Sequence, residues 1–364
     1  MLFSPSLGSG SLVCVSLLAD FQGKVSATVI AGIPGTEVLV GTDVVCLGEI
    51  VVDLVAGGSE VGFPVSFFPT PGGAAVNVAV ALRRLGARSA LLGRVGGDAF
   101  GRFLQESLGK EGVDLRGLVS DEKESTALTF VLRKDPVSRE PVFVRYGAAD
   151  MGFRREEVCW EVLQEARVLH LVSLCLVREP LRDTTQEILD FCSQREILVS
   201  FDVNHRPRLW KDPHESRKLI LQVIEKADFL KLTREELSFL TGYRDLREGA
   251  RVLLKRGVKN CVITLGKEGA FFANHRGEGF VPAFPVITVD PVGCGDAFCA
   301  GFLKKALSRS VEKGGAFPSE QFCEMVVFAS ACGAFAAQGW GATPSFPTLT
   351  EVEAFLQEKS SPGD

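Results

Sequence analysis

The sequence predicts an α/β protein with a mostly parallel central sheet and a small antiparallel sheet beside it. From residue 43 onward, short β-rich runs alternate with longer helical runs, which indicates parallel strands joined by right-handed crossovers. Two segments of the N-terminal half, within residues 51–70 and 125–147, instead contain strand-like runs with no helix between them. Strands that no helix covers predict a small β lid that closes over a cleft.

The individual elements follow from local patterns. Apolar runs bounded by turn residues indicate buried strands, and apolar residues at helical spacing indicate helices, the first of which ends at Gly86. The predicted strands of the main sheet are Val44–Gly48, Ser89–Gly93, Val168–Val172, Leu198–Val203, Phe229–Leu232 and Cys261–Leu265. The predicted lid strands are Val51–Val55, Val65–Phe68, Ala127–Arg133 and Val142–Tyr146. The predicted helices are Ala74–Leu85, Gly101–Glu111, Glu179–Arg195, Glu215–Lys226, Glu235–Thr241, Arg247–Gly257 and Asp296–Leu307.

Composition argues against two classes of partner. The chain has 364 residues with 40 basic and 45 acidic side chains, so its formal charge is −5. A protein that follows the phosphates of a nucleic acid needs a basic stripe, and the sequence has none, so we expect no nucleic-acid partner. A bilayer-spanning helix needs about 18 or more apolar residues in a row. The sequence has no such run, and we expect no membrane association.

Cysteine usage points to a reducing compartment. The ten cysteines are scattered without a CxxC pair, and the chain has only four histidines. This pattern favours neither a disulfide framework nor a zinc site, so we expect a cytoplasmic protein. Residues 1–42 are expected to be a poorly ordered extension or the result of a start codon assigned too far upstream, with a cleaved targeting segment as the alternative. Residues 43–357 are expected to form one domain, and residues 358–364 a frayed tail.

The sharpest local signal is the stretch DPVGCGDAF at residues 290–298, which opens a helix. Its glycines let other groups approach the main chain closely, and the free N–H groups of a helix start bind anions. An acid at that start, Asp296, fits a base that takes a proton from a hydroxyl while neighbouring N–H groups hold phosphate. The alternative is that Asp296 only caps the helix and the glycines only form a turn.

A second signal is the stretch PGGAAVN at residues 71–77. Asn77 lies on an otherwise apolar helix, so its amide needs a partner, either inside the protein or on a polar ligand such as a sugar. Gly72 and Gly73 would let that ligand reach the main chain. Asp53 can accept two sugar hydroxyls, or it can be a surface turn residue. The signatures of P-loop, dinucleotide-binding, serine hydrolase and zinc protease enzymes are absent from the sequence.

These motifs resemble those of the PfkB, or ribokinase-like, carbohydrate kinases. The resemblance spans about residues 43–357 and rests on the stretches PGGAAVNVAVALRRLG, GRVGGDAFG and GCGDAFCAGF. Two further stretches, FDVNHRPRLW and RYGAADM, are most similar to fructokinases, although 2-keto-3-deoxygluconate kinases share much of the first. The resemblance implies a ribokinase-like three-layer sandwich with a β lid. It also implies ATP-dependent transfer of the γ-phosphate to a primary hydroxyl of a monosaccharide.

The resemblance implies roles for individual residues. Asp296 would be the base, and the main-chain N–H groups of Gly293, Cys294 and Gly295 would form an anion hole. The implied sugar-binding residues are Asp53, Gly72, Gly73, Asn77, Arg145 and Arg206. The implied ATP-binding residues are Thr264, Gly266, Lys267, Gly269 and Gly341. Glu236 would act through water bound to Mg²⁺, and Asp290 lies where related kinases support a monovalent cation such as K⁺.

The sequence departs from the family pattern at three points. Cys294 replaces the usual alanine between the two glycines, either as a small filler or as a thiol whose pKa the helix start lowers. Thr233 replaces the asparagine of the N-x-x-E motif, and Pro291-Val292 replaces a pair of threonines.

Fructose is the leading substrate on this resemblance. The alternatives are a 2-keto-3-deoxygluconate kinase, a nucleoside kinase and a non-catalytic PfkB-like binding protein. The edges of the lid strands would be protected if two copies of the chain paired through the lid, so a homodimer is also expected.

Overall fold

A computed structural model describes residues 15–19, 25–29, 41–57, 66–133, 139–145, 147–309 and 312–360. The chain divides into two compact units, residues 1–40 and residues 41–364. The first unit contains an antiparallel pair, β1 (Val15–Ala19) with β2 (Val25–Val29). The rest of the extension that the sequence predicts to be poorly ordered lies outside the described residues, apart from residues 41–42, and so do residues 361–364 of the predicted tail.

The second unit alternates strands and helices along most of its length. Its strands are β3 (Val44–Leu47), β4 (Val51–Ala56), β5 (Phe67–Gly72), β6 (Ser89–Gly96), β7 (Asp114–Asp121), β8 (Ala127–Arg133), β9 (Arg139–Val144), β10 (Val168–Val172), β11 (Leu198–Asp202), β12 (Phe229–Thr233), β13 (Asn260–Thr264), β14 (Gly269–Asn274) and β15 (Gly277–Pro282). Its helices are α1 (Ala74–Arg84), α2 (Ala99–Lys110), α3 (Trp160–Gln164), α4 (Leu181–Gln194), α5 (Pro213–Ile224), α6 (Arg234–Thr241), α7 (Leu246–Lys255), α8 (Cys294–Leu307), α9 (Ser319–Ala336) and α10 (Leu349–Ser360).

The central sheet has nine strands in the order β15-β14-β13-β12-β11-β10-β3-β6-β7. Strands β13 to β7 of this order pair in parallel, and β14 and β15 add an antiparallel edge. One hydrophobic core lies between the sheet and helices α1, α2, α8, α9 and α10, and the other between the sheet and helices α3 to α7. This is the predicted three-layer α/β sandwich, because helices cover both faces of a mostly parallel sheet.

The small sheet has four strands in the order β5-β4-β8-β9. Its outer pairs β4–β5 and β8–β9 are antiparallel, whereas its central pair β4–β8 is parallel. The strands are in register so that one row crosses the sheet through Thr70, Asp53, Thr129 and Phe143. Since side chains alternate between the faces of a strand, this row shares one face of the lid.

The lid boundaries differ from the sequence prediction at two strands. The strand predicted at Val65–Phe68 continues further along the chain as β5 (Phe67–Gly72), which contains Pro69 and Pro71, and Val65 lies outside the described residues. Proline cannot donate to a strand neighbour, and β5 tolerates it because it is an edge strand of this sheet. The strand predicted at Val142–Tyr146 is β9 (Arg139–Val144), and Tyr146 lies outside the described residues.

The central sheet contains strands that the sequence reading did not assign. β7 has the sequence DLRGLVSD, whose charged residues interrupt the apolar run that is typical of a buried strand. Because β7 is the last strand of the sheet, its polar side chains reach solvent and lose little solvation free energy. Helices α9 and α10 and strands β14 and β15 were also not predicted. Within the described residues, no helix is both long enough and apolar enough to cross a bilayer.

Candidate active site

The predicted site residues lie at the edge of the central sheet where the parallel strands end. Asp202 ends β11, Thr233 ends β12 and Thr264 ends β13, and these three strands are neighbours. In open α/β sheets the carboxyl ends of the strands form the usual ligand crevice. The crossing from β3 to the lid strand β4 starts from this same edge, so the lid joins the body beside the crevice.

Helix α1 positions Asn77. Residues 74–82 of this helix are all buried, so it runs through the interior of the molecule rather than on its surface. A buried amide needs a partner. Asn77 finds one on helix α8, because its Nδ2 donates to Asp296 Oδ2 at 2.7 Å. The structure therefore brings together the two motifs that the sequence places about 220 residues apart.

Asp296 has the proton affinity of a base that works near neutral pH. Burial raises the pKa of its carboxyl group to about 7, and the charge of Asp202 contributes in the same direction. The hydrogen bond from Asn77 and the charges of Lys231 and Arg206 oppose that shift. Efficient proton transfer needs a pKa near the operating pH, and Asp296 meets this condition.

The start of helix α8 contains the glycines that an anion-binding turn requires. Gly293 precedes the helix with φ of 80°, a left-handed conformation that glycine adopts without strain. A Cβ at this position would lie 2.7 Å from Cβ of Ala342, so only glycine fits between the two chain segments. A Cβ on Gly295 would lie 3.3 Å from Nζ of Lys231. An ammonium group thus lies beside the predicted anion hole.

Cys294 lies inside that turn, and its thiol is not activated. Burial raises the pKa of Cys294 to about 12, and the neighbouring carboxylates of Asp290 and Asp296 add to the shift. The suggestion that the thiol has a lowered pKa is therefore wrong, since burial disfavours the charged thiolate. Cys294 is the small filler of the two alternatives.

Asp53 reaches the cleft from the lid. Its carboxylate lies so close to Gly72 that a Cβ there would be 2.2 Å from Oδ2. Burial, together with the charges of Glu49 and Asp296, raises the pKa of Asp53 to about 7. The charge of Asp296 contributes to this shift, so the two carboxylates lie close enough to interact electrostatically. Gly72 packs on Asp53, and Gly73 directly precedes the helix that carries Asn77.

Arg145 occupies a different environment from the one predicted for a lid contact with the sugar. Its Nη1 donates to Glu49 Oε2 at 2.6 Å, and its Nη2 pairs with Asp150. The side chain is only 8% exposed. Both ends of the guanidinium are therefore committed to protein carboxylates. Arg206, by contrast, is exposed, and its charge reaches Asp296.

The sequence reading missed an ion pair beside Asp296. Lys231 Nζ, on β12, lies 3.0 and 2.9 Å from the two carboxylate oxygens of Asp202 on β11. Burial opposes the charge of Lys231, but the carboxylate of Asp202 holds the pKa of the ammonium above its ordinary value. A lysine in the middle of a buried strand is a sequence signal for such a pair, because a lone ammonium is rarely buried.

The predicted nucleotide residues gather on two loops. Thr264 ends β13, and Gly266 and Lys267 follow on an exposed turn that closes when Leu265 N donates to Gly269 O at 2.8 Å. Gly341 N donates to the buried carboxylate of Asp290 at 3.3 Å, which joins the second loop to the segment before helix α8.

Glu236 and Thr233 form a reciprocal cap at the start of helix α6. Thr233 Oγ1 accepts from Glu236 N at 3.2 Å, and the Glu236 carboxylate accepts from Thr233 N at 2.7 Å. The second carboxylate oxygen accepts from His205 N, also at 2.7 Å. Threonine and asparagine both cap helices well, so Thr233 preserves the local geometry of the N-x-x-E motif.

Comparisons with known proteins identify the family of the chain. The family described as pfkB family carbohydrate kinase matches residues 41–349. The chain is 36% identical over 318 residues to probable fructokinase-2 of Arabidopsis thaliana, which covers 86% of this chain and 95% of that protein. A fructokinase double mutant of Vibrio cholerae O395, solved with fructose, ADP and a potassium ion, is similar with a TM-score of 0.79 and 32% identity, over 86% of this chain and 98% of that one. A fructokinase of Xylella fastidiosa with bound ATP has a TM-score of 0.81 and 30% identity, over 88% and 99% of the two chains.

The family match covers most of the second unit, and the relatives align over nearly their full length. Both findings give the same family. This chain belongs to the pfkB family of carbohydrate kinases.

Proposed function

We propose that the protein is an ATP-dependent kinase that transfers the γ-phosphate of ATP to a primary hydroxyl of fructose, with Asp296 as the base. The contact between Asn77 and Asp296 carries this proposal, because it places a carboxylate of pKa about 7 beside the amide groups of the α8 start. The relative from Vibrio cholerae binds fructose and ADP, which supports the choice of sugar and nucleotide.

Each group has a defined part in the transfer. Asp53, Asn77 and the main chain at Gly72 and Gly73 hold the sugar so that its hydroxyl faces Asp296. Asp296 accepts the proton of that hydroxyl as the oxygen attacks the γ-phosphorus, and the N–H groups of residues 293–295 stabilise the charge on the phosphoryl oxygens. Alignment of the two reactants is worth roughly 7–11 kcal/mol, and a positioned base about 10²–10⁴-fold in rate. Positioning therefore contributes most of the acceleration.

Lys231 supplies a positive charge next to the same amide groups. Nζ of Lys231 would lie 3.3 Å from a Cβ built on Gly295. Its charge is therefore beside the proposed path of the phosphoryl group. The pair with Asp202 keeps Lys231 protonated. We assign Lys231 to the stabilisation of the transferred phosphoryl group.

Metal ions complete the charge balance in our proposal. Magnesium prefers oxygen ligands and water, and the buried carboxylate of Glu236 offers oxygens that accept N–H groups and retain further lone pairs. Glu236 would hold Mg²⁺ through a bound water, and the ion would neutralise phosphate charge. The buried carboxylate of Asp290, next to Gly341, would support a K⁺ ion. Thr264, Gly266, Lys267, Gly269 and Gly341 would contact ATP.

The lid arginine does not offer a sugar acid a free cation, because Arg145 is already neutralised by Glu49 and Asp150. The exposed Arg206, whose charge acts on Asp296, is the cation that a sugar acid would need. A neutral ketohexose needs only hydrogen-bonding groups such as Asp53 and Asn77, and the relative from Vibrio cholerae that binds fructose supports this choice.

A substrate panel tests the proposal. We expect ADP release with fructose to have a kcat/KM at least about tenfold higher than with 2-keto-3-deoxygluconate, ribose or adenosine, because one well-placed polar contact discriminates by at least that factor. Product analysis should show one phosphate on the primary hydroxyl of fructose. A preference for adenosine or the sugar acid would overturn the substrate, and ADP release with none of the four would favour a non-catalytic binding protein.

The lid suggests a homodimer. Its two edge strands β5 and β9 have exposed apolar side chains at Phe68, Val142 and Val144. Pairing of two copies through the lid would cover these groups and the free strand edges. Sedimentation should give a dimer that Val144→Lys weakens. A monomer at all concentrations would contradict the proposal.

The state of the cysteines bears on the cellular compartment that we propose. All cysteines of the described residues are unpaired, which supports the proposal that the protein works in the reducing environment of the cytoplasm.

A further inference from the structure

The strongest unexplained feature outside the reacting groups is a set of three charged residues at the base of the lid. Glu49 lies between β3 and the first lid strand, Arg145 follows the last lid strand, and Asp150 lies on a short turn of the body. We call these residues the lid-base triad. Their side chains are 10%, 8% and 1% exposed, and Arg145 pairs with both acids.

The triad connects the lid to the body. The turn Ala149–Gly152, which carries Asp150, is held to the central sheet because Arg94 Nη1 on β6 donates to Gly152 O at 2.6 Å. Arg145 thus ties the end of β9 to a fixed point of the body through Asp150. Through Glu49 it ties the same strand to the place where the chain first leaves the central sheet.

Glu49 also reaches the helix that carries Asn77. Helix α1 begins after Gly73, which has no side chain to cap it, and its first turn contains no acidic residue. The N–H of Ala74 instead donates to Glu49 Oε1 at 3.4 Å. The main-chain oxygen of Glu49 packs against Gly73 so closely that a Cβ there would lie 2.3 Å away. Glu49, which is not part of α1, therefore caps the first N–H of the helix and packs against the residue before it.

We infer that Glu49, held in place by Arg145, is a positioning residue for the phosphoryl transfer. Its carboxylate fixes the start of α1, and one turn later Asn77 fixes the carboxylate of Asp296. The position of the lid strands is thereby coupled to the orientation of the base. Glu49 touches neither sugar nor nucleotide in this inference, which rests on the proposed kinase function and on Asp296 as its base.

A double-mutant cycle tests this coupling. We expect Glu49→Ala to lower kcat about tenfold with little change in the KM for ATP, because a small displacement of a reacting group has at least that effect. Asn77→Ala should lower kcat by a similar factor. If Glu49 acts through Asn77, the double variant loses hardly more than Asn77→Ala alone. Independent losses that multiply to about a hundredfold would overturn the inference, and so would an unchanged kcat in Glu49→Ala.

The controls separate positioning from general damage. Glu111→Ala removes the ion pair with Arg84 at the other end of the same helix and should leave kcat unchanged. Glu49→Gln keeps an oxygen for Ala74 N–H and should lose less activity than Glu49→Ala, which keeps the test valid if the alanine variant does not fold.

A second measurement does not depend on catalysis. Hydrogen exchange of the peptide covering residues 72–78 should become faster in Glu49→Ala but not in Glu111→Ala. Unchanged exchange in that peptide would overturn the inference. The kinetic cycle uses the sugar with the highest turnover in the substrate panel. A different preferred sugar then refutes fructose alone, and multiplicative losses in the cycle refute the positioning role alone.

Discussion

Asp296→Asn should lower kcat for sugar phosphorylation by about 10²–10⁴-fold, the contribution of a positioned general base. The change keeps the shape of the side chain and an oxygen that can accept from Asn77 Nδ2, so the contact between α1 and α8 is preserved. The variant should therefore fold normally and still bind ATP. Steady-state kinetics with fructose and calorimetric titration with ATP measure the two quantities. The Asp114→Asn variant, at a half-buried acid that pairs with Arg116 at the start of the edge strand β7, is the matched control.

The pH dependence of the wild-type enzyme should test the same assignment. A base works only when ionised, so kcat/KM should fall as the pH drops below the pKa of Asp296, about 7. Asp53 has a similar pKa, and each charge raises the proton affinity of the other, so the two carboxyl groups titrate as a pair. In Asp296→Asn the dependence that remains near pH 7 should be that of Asp53 alone, shifted to slightly lower pH, because burial and the charge of Glu49 still raise its pKa when the charge of Asp296 is gone. Near-normal turnover in this variant would remove the base assignment.

Much of the candidate site could be proposed from the sequence because its residues lie in compact local motifs. Asp296 and its glycines form one motif, and Gly72, Gly73 and Asn77 form another, each with a recognisable reason for its residue types. The contact between Asn77 and Asp296 joins these two motifs in the structure. The alternation of strands and helices likewise predicted six of the nine strands of the central sheet, since buried parallel strands are continuous apolar runs.

The charged pairs around the site could not be predicted in this way. Lys231 and Asp202 are 29 residues apart, and Arg145 and Glu49 are 96 residues apart. Nothing in one sequence says which acid lies beside which base once the chain has folded. Arg145 was expected to contact the sugar, because its sequence context places it at the lid. The sequence does not show that Glu49 and Asp150 pair with it. The edge strand β7 was missed because its solvent-accessible positions hold polar side chains, so the sequence lacks a continuous apolar run.

Lys231→Met should have the largest combined effect on stability and activity. The variant leaves the carboxylate of Asp202, which is 1% exposed, without its cation. Removing one partner of a buried ion pair costs about 3–5 kcal/mol of unfolding free energy. It also removes the positive charge beside Gly295, so we expect kcat to fall about a hundredfold or more, as when one oxyanion donor is removed. Chemical denaturation and steady-state kinetics measure the two effects.

The double variant Lys231→Met with Asp202→Leu separates those effects. Replacement of both members of a buried ion pair by apolar side chains is often neutral or stabilising, so the free energy of unfolding should return close to the wild-type value. The turnover should stay low, because the cation next to the phosphoryl path is still missing. If kcat recovers together with stability, Lys231 only neutralises Asp202. A stable enzyme with low kcat and unchanged affinity for fructose would instead place its ammonium charge in the transition state, where stabilisation raises the rate.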